Sequence, residues 1–283
     1  MIEPGFHTDL PAEQYHALDC ARYSYLKMLA GEGALTLAHV RAAMLNPKPP
    51  TKDMQLGTAL HTAALQGDQL DQAVAVAPDR QRRSNVDKEF WVEFEAEHAG
   101  KIILQQSEFD RVRFMAERIL YHPEVQGLFG YDCAIECSGI VQHTADDGEQ
   151  VLVKIRPDVW SPDAHILADI KTTPCASRAA FQRTVYNFGY HHQAALYMHV
   201  MGRLGHLVDY YMFIVVEKEP PHEVAVYRLM PEVIERAWEQ LIDPLHDMAV
   251  AYRTGHWTGY SEHVESIALP AWAMRDITFN PLY

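Results

Sequence analysis

Residues 151–171 constrain this chain more than any other stretch. They contain an extended run, a short turn and then His165-Ile166-Leu167-Ala168-Asp169-Ile170-Lys171. With the two-residue period of a strand, Leu167, Asp169 and Lys171 fall on one face while Ile166, Ala168 and Ile170 fall on the other. One face is apolar and the other carries charge. Asp158 closes the preceding run, and Ser161-Pro162-Asp163 supplies the turn chemistry that folds two strands back on each other. The pattern therefore gathers Asp158, Asp169 and Lys171. The Asp-x-Lys triplet by itself fits equally a surface hairpin with an Asp–Lys pair on its wet face.

The gathered groups suit metal-assisted attack on a phosphodiester. Two carboxylates can hold one or two hard divalent cations through oxygen, and the main-chain carbonyl of Ile170 offers another oxygen. A nearby ammonium orients water or stabilises charge in the transition state. Magnesium and manganese both qualify, since each accepts oxygen ligands in octahedral geometry. Because this reading places Asp169 on a polar face, Asp169→Ala is expected to abolish cleavage and leave the fold intact.

Composition narrows the partners. A formal net charge of -14 argues against a generally basic, non-specific nucleic-acid binder, so any DNA channel must be locally positive. The densest basic cluster, Arg80-Gln81-Arg82-Arg83-Ser84-Asn85, offers phosphate contacts or is a solvated loop. The four cysteines, Cys20, Cys133, Cys137 and Cys175, contain no C-x-x-C pair, so no iron–sulfur cluster or zinc ribbon is expected. The first residues lack a basic segment followed by an apolar one, and no apolar run is long enough for a bilayer. A cytoplasmic protein without a membrane partner is the expectation.

Along the chain, residues 12–16 begin a short helix and 23–44 read mostly helical until prolines intervene. Residues 54–65 place Leu56, Ala59, Leu60, Ala63 and Ala64 on one helical face, with His61 beside it as a core histidine or a ligand. Residues 90–99 and 108–120 follow as helices, the second capped near Ser107. Residues 134–142, 151–160 and 165–172 form a β-meander, in which Glu136 is either a third site carboxylate or an exposed strand residue. Residues 178–201 read as one long helix, 208–217 and 223–229 as strands and 232–252 as a closing helix. The expectation is a single α/β domain over residues 1–283, with a mostly helical part, 1–125, and a core, 126–283.

In the helix over 178–201, Gln193 and Tyr197 are four apart and share a face, with Tyr186 and Tyr190 nearly in line. Such groups suit hydrogen bonds to a DNA backbone or stacking on a terminal base, and they equally suit an ordinary amphipathic helix.

Taken in order, Gly57-Thr58-Ala59-Leu60-His61, Arg156-Pro157-Asp158, Asp169-Ile170-Lys171 and Gln193-Ala194-Ala195-Leu196-Tyr197 resemble the PD-(D/E)XK nuclease superfamily and its RecB-like branch. The likeness is greatest to RecE (exonuclease VIII) nuclease domains and their phage-encoded relatives. Further landmarks are Tyr15-His16-Ala17, Ala77-Pro78, Arg82-Arg83, Gly100-Lys101, Tyr190-His191-His192 and Leu269-Pro270-Ala271-Trp272. The resemblance implies a restriction-endonuclease-like core, with a central mixed sheet flanked by helices. It implies a magnesium-dependent exodeoxyribonuclease acting on double-stranded ends 5′ to 3′, leaving 3′ overhangs for a single-strand annealing partner. It assigns His61, Asp158, Asp169 and the Ile170 carbonyl to the metal and Lys171 to the attacking water. Gln193 and Tyr197 support the site and the scissile strand. A ring-shaped homotetramer, of phage or prophage origin, is also implied. Asp169 stands where many superfamily members carry Glu. Other readings are a structure-specific or Cas4-like endonuclease, against which the missing cysteine cluster argues, and a non-catalytic DNA-end-binding scaffold.

Overall fold

The computed structural model describes residues 2–31, 33–81 and 83–274; Arg82 and the side chain of Trp272 lie outside them. The strands are β1 (Gly5–His7), β2 (Val74–Ala77), β3 (Ile102–Gln105), β4 (Ala134–Ile135), β5 (Ser138–Thr144), β6 (Gln150–Ile155), β7 (Val159–Ser161), β8 (Ile166–Thr173), β9 (Tyr210–Glu217) and β10 (Val224–Arg228). The helices are α1 (Ala12–Ala17), α2 (Tyr23–Leu29), α3 (Leu37–Leu45), α4 (Lys52–Leu65), α5 (Leu70–Ala73), α6 (Asn85–Glu97), α7 (Gln106–Leu120), α8 (Pro123–Leu128), α9 (Arg178–Phe188), α10 (Tyr190–Arg203), α11 (Pro231–Thr254) and α12 (Ala271–Met274).

Five strands form the central sheet in the order β10-β9-β8-β7-β4. Its one parallel pair, β8 with β9, needs a long crossover, and α9 with α10 supply it. Both faces are covered. Ile166, Ala168 and Ile170 of β8 pack with Met212, Ile214 and Val216 of β9 under α4 and α7. Leu167, Tyr211, Phe213 and Val215 pack on the other side against α10, α11 and the sheet β1-β5-β6. This is the mixed sheet flanked by helices that the family resemblance implies. It also corrects the wet face expected for Asp169, which is 1% exposed because α10 lies across it. No helix among the described residues is long and apolar enough to cross a membrane.

Four expected elements divide, each at a residue with its own backbone demand. Residues 23–44 form α2 and α3, separated where Gly31 and Gly33 adopt φ of 81° and 79°. The strand expected over 134–142 splits at Glu136, whose φ is 47°, sending β4 and β5 to different sheets. The one expected over 151–160 splits at Arg156-Pro157-Asp158, so β6 and β7 also part company and the meander is not continuous. The helix over 178–201 breaks at Gly189, φ 72°, where an added Cβ would meet His192 at 3.3 Å and Tyr23 at 3.6 Å. The cap of α7 is Gln105, whose N–H donates to Glu108 at 2.8 Å, and not Ser107.

A buried lysine fastens the N-terminal segment to the core. Lys154, 1% exposed on β6, donates to the carbonyls of Tyr15 at 2.7 Å, Leu18 at 2.6 Å and His16 at 3.3 Å. These bonds tie the last turn of α1 and the residue after it to β6.

Candidate active site

The site grows from the point where β7 stops pairing with β8. The last pair is Val159↔Ala168, and the antiparallel register sets Pro157 opposite Ile170. Proline has no N–H to give the Ile170 carbonyl, so the ladder ends and both main-chain groups of Ile170 face an open edge. Asp158 and His61 fill that edge. The Ile170 N–H donates to Asp158 Oδ2 at 2.7 Å, and His61 Nε2 lies 3.1 Å from the Ile170 carbonyl. His61 Nδ1 is 3.3 Å from Asp158 Oδ1, so one imidazole from α4 joins a carboxylate to a strand carbonyl.

Asp169 and Lys171 project from the face of β8 that α10 covers. Gln193 Nε2 donates to Asp169 Oδ1 at 3.0 Å, and the Lys171 ammonium pairs with Asp169 Oδ2. The Tyr197 hydroxyl lies beside Gln193, and the Tyr211 hydroxyl lies against Asp169 from β9. Tyr190, first residue of α10, lays its ring 4.6 Å from the Lys171 ammonium. The break at Gly189 aims it there.

Burial and mutual charge set the protonation states. Burial disfavours a charged His61, but the Asp158 carboxylate beside it raises its pKa to about 9. Burial likewise opposes ionisation of Asp158, yet His61, Lys171 and the Ile170 N–H hold its carboxyl below the usual range. Asp169 moves the other way, because burial and the charge of Asp158 push it up against the pull of Lys171. Lys171 is buried too, and the two carboxylates hold its ammonium above its ordinary value. Among the described residues no three His, Cys, Asp or Glu side chains stand as a ready metal cage. The convergent donors are two carboxylates, one main-chain carbonyl and one imidazole, a set suited to a hard cation.

A family model described as "PDDEXK-like domain of unknown function (DUF3799)" matches residues 23–270. The chain belongs to this family. Among solved structures, the "Putative exonuclease" from Eubacterium rectale is similar at a TM-score of 0.60 and 12% identity, over 95% of this chain and 98% of that one. That likeness shows a shared fold. A phage related exonuclease from Haemophilus somnus 129PT aligns over 83% of this chain and 96% of its own, with a TM-score of 0.35 and 12% identity. Comparison with curated proteins gave no match.

In this PDDEXK-like chain the remaining candidates sit elsewhere. Tyr186 precedes the Gly189 break and is 65% exposed, stacked on His191 and off the face that carries Gln193 and Tyr197. Arg80 pairs with Asp87 at 2.8 Å and covers the Phe90 ring, so its guanidinium is engaged, while Arg83 is exposed. Glu136 donates its main-chain N–H to the Asp158 carbonyl at 2.9 Å and pairs with Arg156 at 3.5 Å. Its side chain thus meets the arginine beside the site. Sequence reasoning read α2 as helical but did not bring it to the site. Tyr23 donates to the Phe188 carbonyl, and Lys27 stands near enough to Lys171 that burial and that second charge lower its pKa. No local pattern links residues so far from β8 in sequence.

Proposed function

We propose that this chain is a divalent-cation-dependent exodeoxyribonuclease that acts on double-stranded DNA ends, degrading one strand 5′ to 3′ and leaving a 3′ overhang. The observation that supports it most is the convergence of Asp158, Asp169 and Lys171 on the open edge of β8, with the Ile170 carbonyl and His61 beside them. Asp158, Asp169, the Ile170 carbonyl and His61 would hold magnesium or manganese, which when bound supplies a polarised phosphoryl oxygen and a water of lowered pKa. Lys171 stays protonated between its carboxylates, so it donates hydrogen bonds, orients the attacking water and offsets charge growing on the phosphate. Gln193 fixes the rotamer of Asp169, and Tyr197 packs beside Gln193.

Polarity, action from ends, a ring-shaped homotetramer with DNA in its channel, a single-strand annealing partner and a cytoplasmic phage or prophage role rest on the RecE-like resemblance. The test compares linear with covalently closed duplex DNA, with Mg²⁺ or EDTA, using 5′ and 3′ end labels. Mg²⁺-dependent loss of the linear form alone, with early mononucleotide release from the 5′ label, is expected. Cutting of the circle replaces this reading with an endonuclease, and DNA binding without cleavage replaces it with a scaffold. The burial of Asp169 changes the choice of variant. Asp169→Ala would leave the Lys171 ammonium buried and unpaired, at a cost of about 3–5 kcal/mol, so the fold is not expected to survive it unharmed. Asp169→Asn keeps the volume, and its expected loss of cleavage is the informative result.

A further inference from the structure

Lys27 stands beside the constellation without belonging to it. It follows Tyr23 by four residues on α2, so the two share a face of that helix. The Tyr23 hydroxyl donates to the Phe188 carbonyl, which ties this face to the break between α9 and α10. A Cβ added at Gly189 would meet the Lys27 Cβ at 3.7 Å, so the base of the lysine side chain rests on that break. The ammonium lies 5.2 Å from the centre of the Tyr23 ring and close enough to Lys171 to feel its charge. Lys27 is nevertheless exposed, and a ligand can reach it.

Two ammoniums held side by side repel, and each calls for an anion. Lys171 has one in Asp169. Lys27 has none, since the lysine–carboxylate pairs among the described residues involve Lys52, Lys171 and Lys218. The carboxylates of the site are already engaged, Asp158 by His61 and the Ile170 N–H, Asp169 by Lys171 and Gln193. An exposed cation without a carboxylate partner, fastened next to another lysine in a chain of net charge -14, is an arrangement that an external anion completes. A nucleic-acid backbone supplies such anions in series, one for each lysine.

We propose that Lys27 binds a backbone phosphate of the cleaved strand, next to the phosphate that faces Lys171. The inference deepens the nuclease reading and rests on it for the identity of the strand. It gives α2, through Tyr23 and the Gly189 break, the task of holding that second cation in place.

The test is binding of a short fluorescein-labelled DNA duplex, followed by anisotropy in EDTA over a series of KCl concentrations. Lys27→Met keeps an unbranched stem against Gly189 and removes the charge. It is expected to weaken binding on the order of tenfold at low salt and to reduce the slope of log K against log[KCl] by about one, alike for A·T-rich and G·C-rich duplexes. Lys27→Arg is expected to keep the wild-type slope, which a purely structural role for the lysine stem would not require. A neutral methylphosphonate at one linkage near the 5′ end is expected to weaken binding by the wild type, and to cost Lys27→Met nothing further. Lys27→Gln takes the same assays if the methionine variant does not fold. A wild-type slope in the uncharged variants, a slope in Lys27→Arg as low as theirs, methylphosphonate effects as large in Lys27→Met as in the wild type at every linkage, or no binding by the wild type would each overturn the assignment. Because binding is read without a divalent cation, such a failure leaves hydrolysis of duplex ends untouched. Conversely, a protein in which Lys27 passes these assays but which cleaves no DNA with Mg²⁺ or Mn²⁺ loses the nuclease reading and keeps the phosphate contact.

Discussion

His61 makes the stability of the cation-free protein fall as pH rises. Its imidazole is a quarter exposed, lies 3.3 Å from the Asp158 carboxylate and has a pKa raised from 6.5 to about 9. With the folded value above the unfolded one, the native state binds the extra proton. Its contribution is complete below about pH 6.5 and is lost as pH rises through about 9. At ~1.4 kcal/mol per pH unit the gap is worth about 3 kcal/mol, an upper figure because part of the ring meets solvent. Urea unfolding in EDTA at about pH 6 and about pH 9.5 reads it directly, with His61→Asn as the reference. Asparagine keeps an amide where Nδ1 meets Asp158 but cannot titrate. The wild type is expected to lose roughly 2–3 kcal/mol more than the variant across that interval. Equal losses in the two proteins would refute the His61–Asp158 coupling. The same proton opposes a cation, since a ligating nitrogen must be free of it. Apparent Mn²⁺ affinity is therefore expected to rise up to about tenfold per pH unit below pH 9, with proton release visible by calorimetry in buffers of different ionisation enthalpy.

Gln193→Ala removes the donor that orients Asp169, and is expected to lower kcat about 10–100-fold with KM for DNA little changed, as steady-state cleavage would show. Lys154→Met removes the ammonium that joins the carbonyls of Tyr15, His16 and Leu18 to β6. A loss of about 3 kcal/mol in urea unfolding is expected, and a variant as stable as the wild type would remove Lys154 as the fastening point. Pro157→Ala restores an N–H opposite Ile170, which competes with His61 for the carbonyl. Weaker cation binding in a folded protein is expected, and unchanged affinity would show that the proline does not hold the edge open.

The parts of the site that follow a local period were legible in the sequence. Asp169 and Lys171 two apart on a strand, and Gln193 and Tyr197 four apart on a helix, share a face by geometry alone. Those that depend on a single backbone residue were not. Tyr186, Tyr190, Gln193 and Tyr197 keep helical spacing straight through Gly189, yet one left-handed residue redirects the axis and leaves Tyr186 exposed beside His191 while Tyr190 turns to Lys171. Residues 134–142 alternate well enough to read as one strand, and nothing in that alternation marks Glu136 as the turning point. The burial of Asp169 depends on which helix crosses β8, a tertiary fact with no counterpart in the period of β8 itself.

Register, more than residue type, gives this constellation its chemistry. Had β7 continued one more hydrogen-bonded pair, its backbone would occupy the N–H and carbonyl of Ile170, and Asp158 and His61 would lose the groups that hold them. The pair Arg156-Pro157 prevents this from two directions. Proline withholds the donor, and Arg156 draws the chain aside by donating to the Leu10 carbonyl at 3.0 Å and to Ser138 at 2.8 Å. Asp158 is thereby released from strand geometry at the point where its carboxylate can replace a backbone acceptor. A motif of three consecutive residues thus acts through the strand opposite: it ends one ladder, and the unpaired edge it leaves is where the acids, the carbonyl and the lysine meet.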